Sequence, residues 1–531
     1  MRIFGINFNH RKLYFFGLIL TAICLPLSRF ALSVSMIFLI SNWILELDFK
    51  RKWNELKQNK SILIFTGTFL VHVIWLLNTQ NFKFAFHDLS NKAIFLLYPI
   101  IIGTSFKLDL KQIKIILIWF VAAVVSSTII STLILVEVID YSIQSIRNIS
   151  AFISHIRLSL LINIAIFSLG YVLFSKEFKN KKIEIIAYSA IIIWLITFLY
   201  LLKSYTGIIV FIIMSFLILT YESFKIKDII ARLFLRVFLI TGFLLLASLI
   251  TRSIAKFYTI EKIDVNNLEK NTINGNAYKH FLGNRQVENG HYVWAYVCDE
   301  ELEKEWNRKS EVPYNLKDKK GQLIRSTIIR YLTSKGLKKD SVGISKLSSN
   351  DIHNIENGIA NYIFEDKYAL YPKIYDAIWQ IDVFRKGLNP EGNSITMRFV
   401  FAKTAIDIIK NNFWFGVGTG DVRDSFNRQY EINKSNLSPK SRLRTHNQYL
   451  TFFLTFGVVG FIIFWFCVFY PAIKLNGFSN YLFTVVFLIA MLSFFNEDTL
   501  ETEIGITFFS YFYSLFLFGN KSNFKTERNY V

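Results

Sequence analysis

The sequence is poor in the residues that form disulfide, metal and nucleotide sites. Its 531 residues include three cysteines, and no Cys-x-x-Cys pair or His-Glu-x-x-His motif occurs. Cys24 and Cys467 lie in apolar segments and Cys298 stands alone in a polar one, so no intrachain disulfide framework is expected. Because the chain also lacks the Gly-x-x-x-x-Gly-Lys-Ser/Thr phosphate loop, the sequence argues against soluble nucleotide chemistry.

Hydrophobic residues are abundant instead. They make up 53% of the chain, aromatic residues make up 17%, and the mean hydropathy is +0.36. A net charge of +21 could suit nucleic acid, but the lysines and arginines lie mainly in short loops between apolar runs. Cytoplasmic loops of membrane proteins carry this bias and face anionic lipid headgroups. The composition therefore predicts a polytopic membrane protein that contacts membrane lipid and no nucleic acid.

Apolar segments near membrane-spanning length recur along the chain. We count about twelve candidate spans, at residues 13–27, 29–46, 61–79, 91–106, 112–136, 155–175, 183–202, 205–221, 231–251, 447–470, 480–496 and 503–519. Placing the N-terminus in the cytoplasm puts the Lys- and Arg-rich loops inside and acidic loops such as "NEDTLETE" outside. This arrangement predicts an all-α polytopic membrane protein with its long polar segment on the outer side.

Three regions follow from this topology. Residues 1–251 form a transmembrane region with nine spans, and residues 252–446 form a large, mostly helical periplasmic loop domain between spans nine and ten. Residues 447–531 form three further spans and a cytoplasmic tail. Outside the membrane, His280, His291 and His353 are scattered without metal-ligand spacing, so we expect no metal and no cofactor. Chemistry is then expected from side chains at the outer face of the membrane.

The stretch "RTHNQYLTFFLTFGVVGF" brings polar groups to the mouth of an apolar helix. Helical spacing predicts that His446 shares one face with Gly457 and Gly460. The two glycines would allow a neighbouring helix to approach closely and hold the histidine at the outer end. A neutral imidazole placed there can accept a proton from a hydroxyl group. The alternative is an interfacial histidine that only meets water and headgroups.

Three cations lie at the same predicted depth. Arg157 and Lys92 mark the outer ends of the sixth and fourth spans, and Arg398 lies in the outer segment. Charges at a membrane are costly, so they tend to be paired or functional. The sequence shows no matching acidic set, and such a group of cations suits a diphosphate, which arginine grips with two hydrogen bonds. The alternative is that these side chains snorkel to the interface.

Glycines alternate in the segment "FWFGVGTGD". Gly416, Gly418 and Gly420 follow an amphipathic helical pattern. Such a loop can turn sharply and expose backbone N–H groups to an anion. Glycines in this position can also simply end the helix.

The order of these features resembles the O-antigen ligase and polymerase superfamily of bacterial envelope enzymes. The ligase motif is His-Asn, nine residues, Gly, two residues, Gly, and His446, Asn447, Gly457 and Gly460 satisfy it. The resemblance implies a glycosyltransferase at the periplasmic face of the inner membrane. It implies a glycan donor on undecaprenyl diphosphate, a lipid A–core acceptor, His446 as the catalytic residue, and Arg157, Arg398 and Lys92 on the diphosphate.

Other functions stay open at this point. A polymerase that joins repeat units, or a transferase that glycosylates proteins, would share these features because both belong to the same superfamily. A transporter or lipid flippase would be expected to show repeated halves and broken helices, and the sequence shows neither.

Overall fold

A computed structural model gives the fold of the chain. It describes residues 2–3, 6–7, 9–140, 149–175, 180–264, 267–284, 286–366, 370–387 and 389–520. Within these ranges the chain is mainly helical, with two short antiparallel hairpins, β1 Arg2–Ile3 with β2 Ile6–Asn7 and β3 Val287–Glu288 with β4 His291–Tyr292. The structure therefore agrees with the predicted all-α class.

The described residues form a series of α-helices, numbered in chain order. They are α1 His10–Leu27, α2 Arg29–Leu45, α3 Phe49–Gln58, α4 Lys60–Ile74, α5 Phe82–Lys92, α6 Ile94–Thr104, α7 Leu110–Leu135, α8 His155–Phe174, α9 Lys182–Leu201, α10 Tyr205–Ser223, α11 Ile229–Tyr258, α12 Asp299–Lys309, α13 Ile324–Ser334, α14 Ser341–Ser345, α15 Ser349–Glu356, α16 Leu370–Arg385, α17 Ser394–Asn411, α18 Val422–Ile432, α19 Gln448–Lys474, α20 Tyr481–Phe494 and α21 Glu503–Leu517.

Most of the predicted spans are helices long enough to cross a bilayer. Among the described residues eight helices have the length and apolarity required, namely α1, α4 with its 3-10 extension, α7, α8, α9, α10, α11 and α19. The bent pair of α2 and α3, which meet at 106°, would make a ninth. Helices α6, α20 and α21 are apolar but shorter. Every predicted span overlaps one of these helices. The number of membrane crossings stays a prediction.

The chain divides into two compact units. The first comprises Met1–Lys225 and Met397–Val531, and the second comprises Ile226–Thr396. The second unit begins before the predicted boundary at residue 252 and ends before the predicted boundary at residue 446. Within it α11 packs along α16, so this apolar helix groups with the polar segment that follows it. The segment from Met397 to His446 belongs to the first unit, together with helices α1 to α10 and α19 to α21.

Aromatic side chains fill the core of the first unit. Helix α4 packs along α19 and α6, and Phe65 of α4 stacks on Tyr513 of α21 with ring centroids 4.1 Å apart. The buried ring of His72 packs edge-on against the ring of Phe456 in α19, with ring centroids 4.9 Å apart. Such interlocked rings restrict the relative motion of the helices. The ends of α8, α19, α20 and α21 are therefore held on a packed frame.

The second unit has its own core. Helices α12, α13 and α15 enclose Trp306 and Tyr331, both of which are fully buried. The indole N–H of Trp306 donates to the carbonyl of Val312 at 2.7 Å, so the buried ring leaves no unpaired donor. Asp299 accepts two hydrogen bonds from the guanidinium of Arg325, at 2.7 and 3.1 Å. These contacts make residues 226–396 a unit with packing of its own.

Candidate active site

The loop between α20 and α21 carries three acidic residues into the interior. This acidic loop, residues 495–502, contains Glu497, Asp498 and Glu501. Each of the three side chains is buried. Buried carboxylates require compensating charge or hydrogen bonds. Their partners include the cations and the histidine that the sequence singled out, together with Arg444.

Glu497 lies among two arginines and the histidine. Its Oε1 is 3.1 Å from Nη2 of Arg398, and its Oε2 is 3.4 Å from Nη1 of Arg157 and 3.9 Å from Nδ1 of His446. Burial alone would raise the pKa of Glu497, but the neighbouring imidazole and guanidiniums outweigh it and lower that pKa below its usual value. Glu497 is therefore an anion at neutral pH, and we call these four residues the Glu497 cluster.

Glu501 organises a second group. Its carboxylate is 2.9 Å from Nζ of Lys92 and 3.1 Å from Nη1 of Arg444, and it accepts a hydrogen bond from Gln448 at 3.1 Å. The ammonium of Lys92 also donates to the carbonyl of Leu500 at 2.5 Å, and its side chain is 1% exposed. Burial would raise the pKa of Glu501, but Lys92 and Arg444 outweigh burial and lower it.

The expectation that the cations lack a matching acidic set is thus wrong. Arg157 and Arg398 pair with Glu497, and Lys92 pairs with Glu501. Isolated cations could not be desolvated in this position without opposing charge, which the acidic loop supplies. Lys92 is 1% exposed and lies against Glu501 and Leu500, with Asp88 at 4.0 Å, so its ammonium ties the end of α5 to the acidic loop.

His446 owes its position to Asp498. The backbone of His446 is left-handed, with φ of 50°, a conformation that costs a non-glycine residue energy. Its N–H donates to Oδ2 of Asp498 at 3.2 Å, and Thr445 and Thr451 donate to Oδ1 at 3.1 and 2.7 Å. Asp498 therefore fixes the chain on both sides of the histidine.

The predicted shared face of His446, Gly457 and Gly460 is also wrong. Helix α19 begins at Gln448, with Asn447 as its N-cap, so the histidine precedes the helix. The side chain of Asn447 accepts from the N–H of Leu450 and donates to the carbonyl of Phe495, which ties the helix start to the acidic loop. The helix then breaks at Gly457, where φ is 62° and ψ is −174°. Helical counting cannot be carried through either point.

The segment 413–418 closes this break. The N–H groups of Val417 and Gly418 donate to the carbonyls of Leu454 and Thr455, both at 3.0 Å, and the N–H of Val458 donates to the carbonyl of Phe413 at 2.8 Å. These bonds replace the intrahelical bonds that the break removes. The two segments approach so closely that a Cβ on Gly457 would overlap the backbone of Trp414.

The glycine-rich loop is engaged with protein along its length. The N–H of Gly416 donates to the carbonyl of Asn412 at 2.8 Å, and the N–H of Gly418 donates to the carbonyl of Thr455 in α19. The N–H of Gly420 donates to Oγ1 of Thr79 at 3.3 Å. The expectation that these N–H groups are exposed to an anion is therefore wrong. Gly460 lies further along α19, where a Cβ would overlap the ring of Trp75.

The Glu497 cluster is partly open to solvent. The side chains of His446 and Arg398 are 34% and 32% exposed, and that of Arg157 is 12% exposed. Nε of Arg157 is buried, and no described residue accepts a hydrogen bond from it. Two guanidiniums with spare donors and an exposed imidazole can bind an anion beside a group that takes up a proton. Within the described residues no group of His, Cys, Asp and Glu could hold a metal ion.

Sequence reasoning misses four residues of this arrangement. By charge pattern alone, Glu497, Asp498 and Glu501 only mark an outer loop, and Arg444 only precedes the histidine motif. The available signal is three acidic residues within five positions between two apolar spans, because charges at that depth tend to be paired or functional.

The chain was compared with known families and with curated proteins. A family model described as O-antigen ligase matches residues 349–465, a stretch that includes Arg398, His446, Gly457 and Gly460. No curated protein matches the chain at a significant level. The match confirms the superfamily resemblance that the sequence motif predicts.

Proposed function

Because the chain carries an O-antigen ligase domain at residues 349–465, we propose that it is a membrane glycosyltransferase of the ligase type. It would move a glycan from undecaprenyl diphosphate to a sugar hydroxyl of lipid A–core at the periplasmic face of the inner membrane. The observation that carries the proposal is the Glu497 cluster, in which Arg157, Arg398 and His446 lie around one carboxylate.

Each side chain has a role in the proposed transfer. The acceptor oxygen attacks the anomeric carbon of the donor sugar and forms the new glycosidic bond. The bond from that carbon to the diphosphate oxygen breaks, and the electron pair leaves with the diphosphate. Arg157 and Arg398 stabilise the charge on the leaving oxygens, which guanidiniums do best where water is scarce. His446 takes the proton of the acceptor hydroxyl, so atoms and charge balance without a further reactant.

The function is tested by deleting the gene and analysing the envelope. We expect the deletion strain to accumulate lipid-linked glycan of normal chain length and to display bare lipid A–core. Core capped by one repeat unit would identify a polymerase, and unchanged lipopolysaccharide with a missing glycoprotein would identify a protein glycosyltransferase. Unchanged surface glycans with altered lipid distribution would favour a transporter or flippase and would contradict the proposal.

The proposed topology can be tested separately. A periplasm-active reporter fused after Lys320 should be active, and the same reporter fused after Val531 should be inactive, because the Lys- and Arg-rich loops are expected inside. A fusion after Asp109, in the short segment that links α6 to α7 and lies within the Lys-rich stretch "KLDLKQIK", serves as an inactive control. Activity at the control position together with silence at Lys320 would invert the topology and remove the site from the periplasm.

A further inference from the structure

Glu497 and Glu501 of the acidic loop differ in how tightly their neighbours hold them. Glu501 lies 2.9 Å from Lys92, which has a further 2.5 Å bond to Leu500, and it also accepts from Arg444 and Gln448, each at 3.1 Å. Glu497 lies 3.1 and 3.4 Å from its arginines, beyond the usual 2.7–2.9 Å of a charge-assisted bond. Its distance to Nδ1 of His446, 3.9 Å, is outside hydrogen-bonding range. Glu497 thus has three partners and no optimal bond to any of them.

A carboxylate in this setting competes with an incoming anion. The side chain of Glu497 is 3% exposed, so it needs a cationic or hydrogen-bonding partner at all times. A diphosphate that takes up donors of Arg157 and Arg398 weakens the hold of those arginines on Glu497. The remaining polar neighbour within reach is Nδ1 of His446, which a shift of about 1 Å would bring into hydrogen-bonding range.

Engagement of Nδ1 has a direct consequence for the base. When Nδ1 carries the hydrogen and donates it to a carboxylate, the lone pair of the imidazole is on Nε2. The ring is then fixed in orientation and in tautomer, with Nε2 on the far side of the ring from Glu497.

We propose that Glu497 is a positioning residue that neutralises Arg157 and Arg398 in the donor-free protein and orients His446 for proton transfer once the diphosphate has bound. The inference rests on the proposed function and deepens it, because it couples donor binding to the readiness of the base. Glu497 touches neither reacting bond and acts through the arginines and the histidine.

The role predicts opposite changes in binding and turnover for Glu497→Gln. The neutral amide keeps one accepting oxygen and turns its NH2 group toward the other neighbours, and because it carries no charge both guanidiniums lose their counter-charge. A bound diphosphate restores that charge, and we expect undecaprenyl diphosphate to bind about tenfold tighter or more, since an unpaired buried charge is strongly unfavourable. Turnover should fall by about 10²-fold, because the histidine loses its anionic partner.

The measurements use the full-length protein in detergent. Isothermal calorimetry with undecaprenyl diphosphate gives Kd, and transfer from purified lipid-linked glycan to lipid A–core gives kcat and KM. Glu501→Gln is the matched control, from the same loop and with similar burial, and it should lower thermal stability without tighter binding. Glu497→Asp keeps the charge and should retain Kd near the native value, with a turnover between those of the native protein and Glu497→Gln.

The possible outcomes separate this inference from the proposed function. If the native protein binds undecaprenyl diphosphate but Glu497→Gln binds it no more tightly, Glu497 is only a structural counter-charge and the inference fails. Parallel losses of binding and turnover in Glu497→Gln would also overturn it. If neither protein binds undecaprenyl diphosphate or transfers glycan, the proposed function itself is wrong.

Discussion

His446→Ala is expected to lower turnover by about 10²–10⁴-fold, the range for loss of a general acid–base group. The imidazole is one-third exposed beside two guanidiniums, so it can reach an acceptor hydroxyl near a bound diphosphate. Undecaprenyl diphosphate should still bind, because the arginines are intact. The measurement is glycan transfer at saturating donor and acceptor, with donor affinity determined on the same preparation.

Gly457→Ala provides a contrast that separates catalysis from packing. The backbone of Gly457 has φ of 62°, and a Cβ there would overlap the main chain of Trp414. Backbone atoms cannot move aside as a flexible side chain can, and a non-glycine residue at positive φ costs about 1–3 kcal/mol in addition. This variant should lose thermal stability and activity together, whereas His446→Ala should lose activity alone.

The same two variants can be distinguished in cells by their membrane level and by the lipid-linked glycan that accumulates. In a strain without the native gene, His446→Ala should be found in the membrane at normal level while lipid-linked glycan accumulates. If those cells display the same surface glycan as cells with the native protein, His446 is only an interfacial residue and is not the base. Native stability of Gly457→Ala would instead show that the pairing between α19 and residues 413–418 is not required.

The apolar helices were predictable because their signal is local. A run of hydrophobic side chains specifies a helix of about membrane length without reference to the rest of the chain. Each of the predicted spans accordingly contains an apolar helix in the structure. The predicted helical face through His446 is wrong for a reason that is not local in sequence. Gly457 can leave the helical conformation only because residues 413–418 supply replacement hydrogen bonds, and periodicity carries no information about them.

The acidic partners of the site were not predictable by the same reasoning. Glu497 meets Arg157 across 340 positions of sequence and Arg398 across 99, and Glu501 meets Lys92 across 409. Sequence spacing reveals which residues share a helix but not which helix ends converge. The cations are recognisable because a charge beside an apolar run is conspicuous, whereas the acidic residues look like ordinary loop charge.

Arg157→Ala is expected to reduce transfer by about 10²-fold or more, because it removes a charge-assisted contact to a desolvated diphosphate. Arg398→Ala should act in the same way but less strongly, since that guanidinium is one-third exposed and partly screened by solvent. Lysine at either position should restore part of the activity, because it keeps the charge and loses the planar fork. Steady-state transfer and the affinity for undecaprenyl diphosphate are the quantities to measure.

Arg157→Ala has a second effect that has to be removed before its result can be interpreted. It leaves the buried Glu497 with one arginine fewer, and an unpaired buried carboxylate destabilises a protein by itself. The double variant Arg157→Ala/Glu497→Gln eliminates that charge and should regain thermal stability. Donor binding is the readout, because Glu497→Gln alone already lowers transfer. If Arg157 holds the diphosphate, the double variant binds undecaprenyl diphosphate more weakly than Glu497→Gln does, since no guanidinium has been returned. Binding as tight as that of Glu497→Gln would mean that Arg157 only neutralises Glu497, and the leaving diphosphate would then have to be stabilised by Arg398 without it.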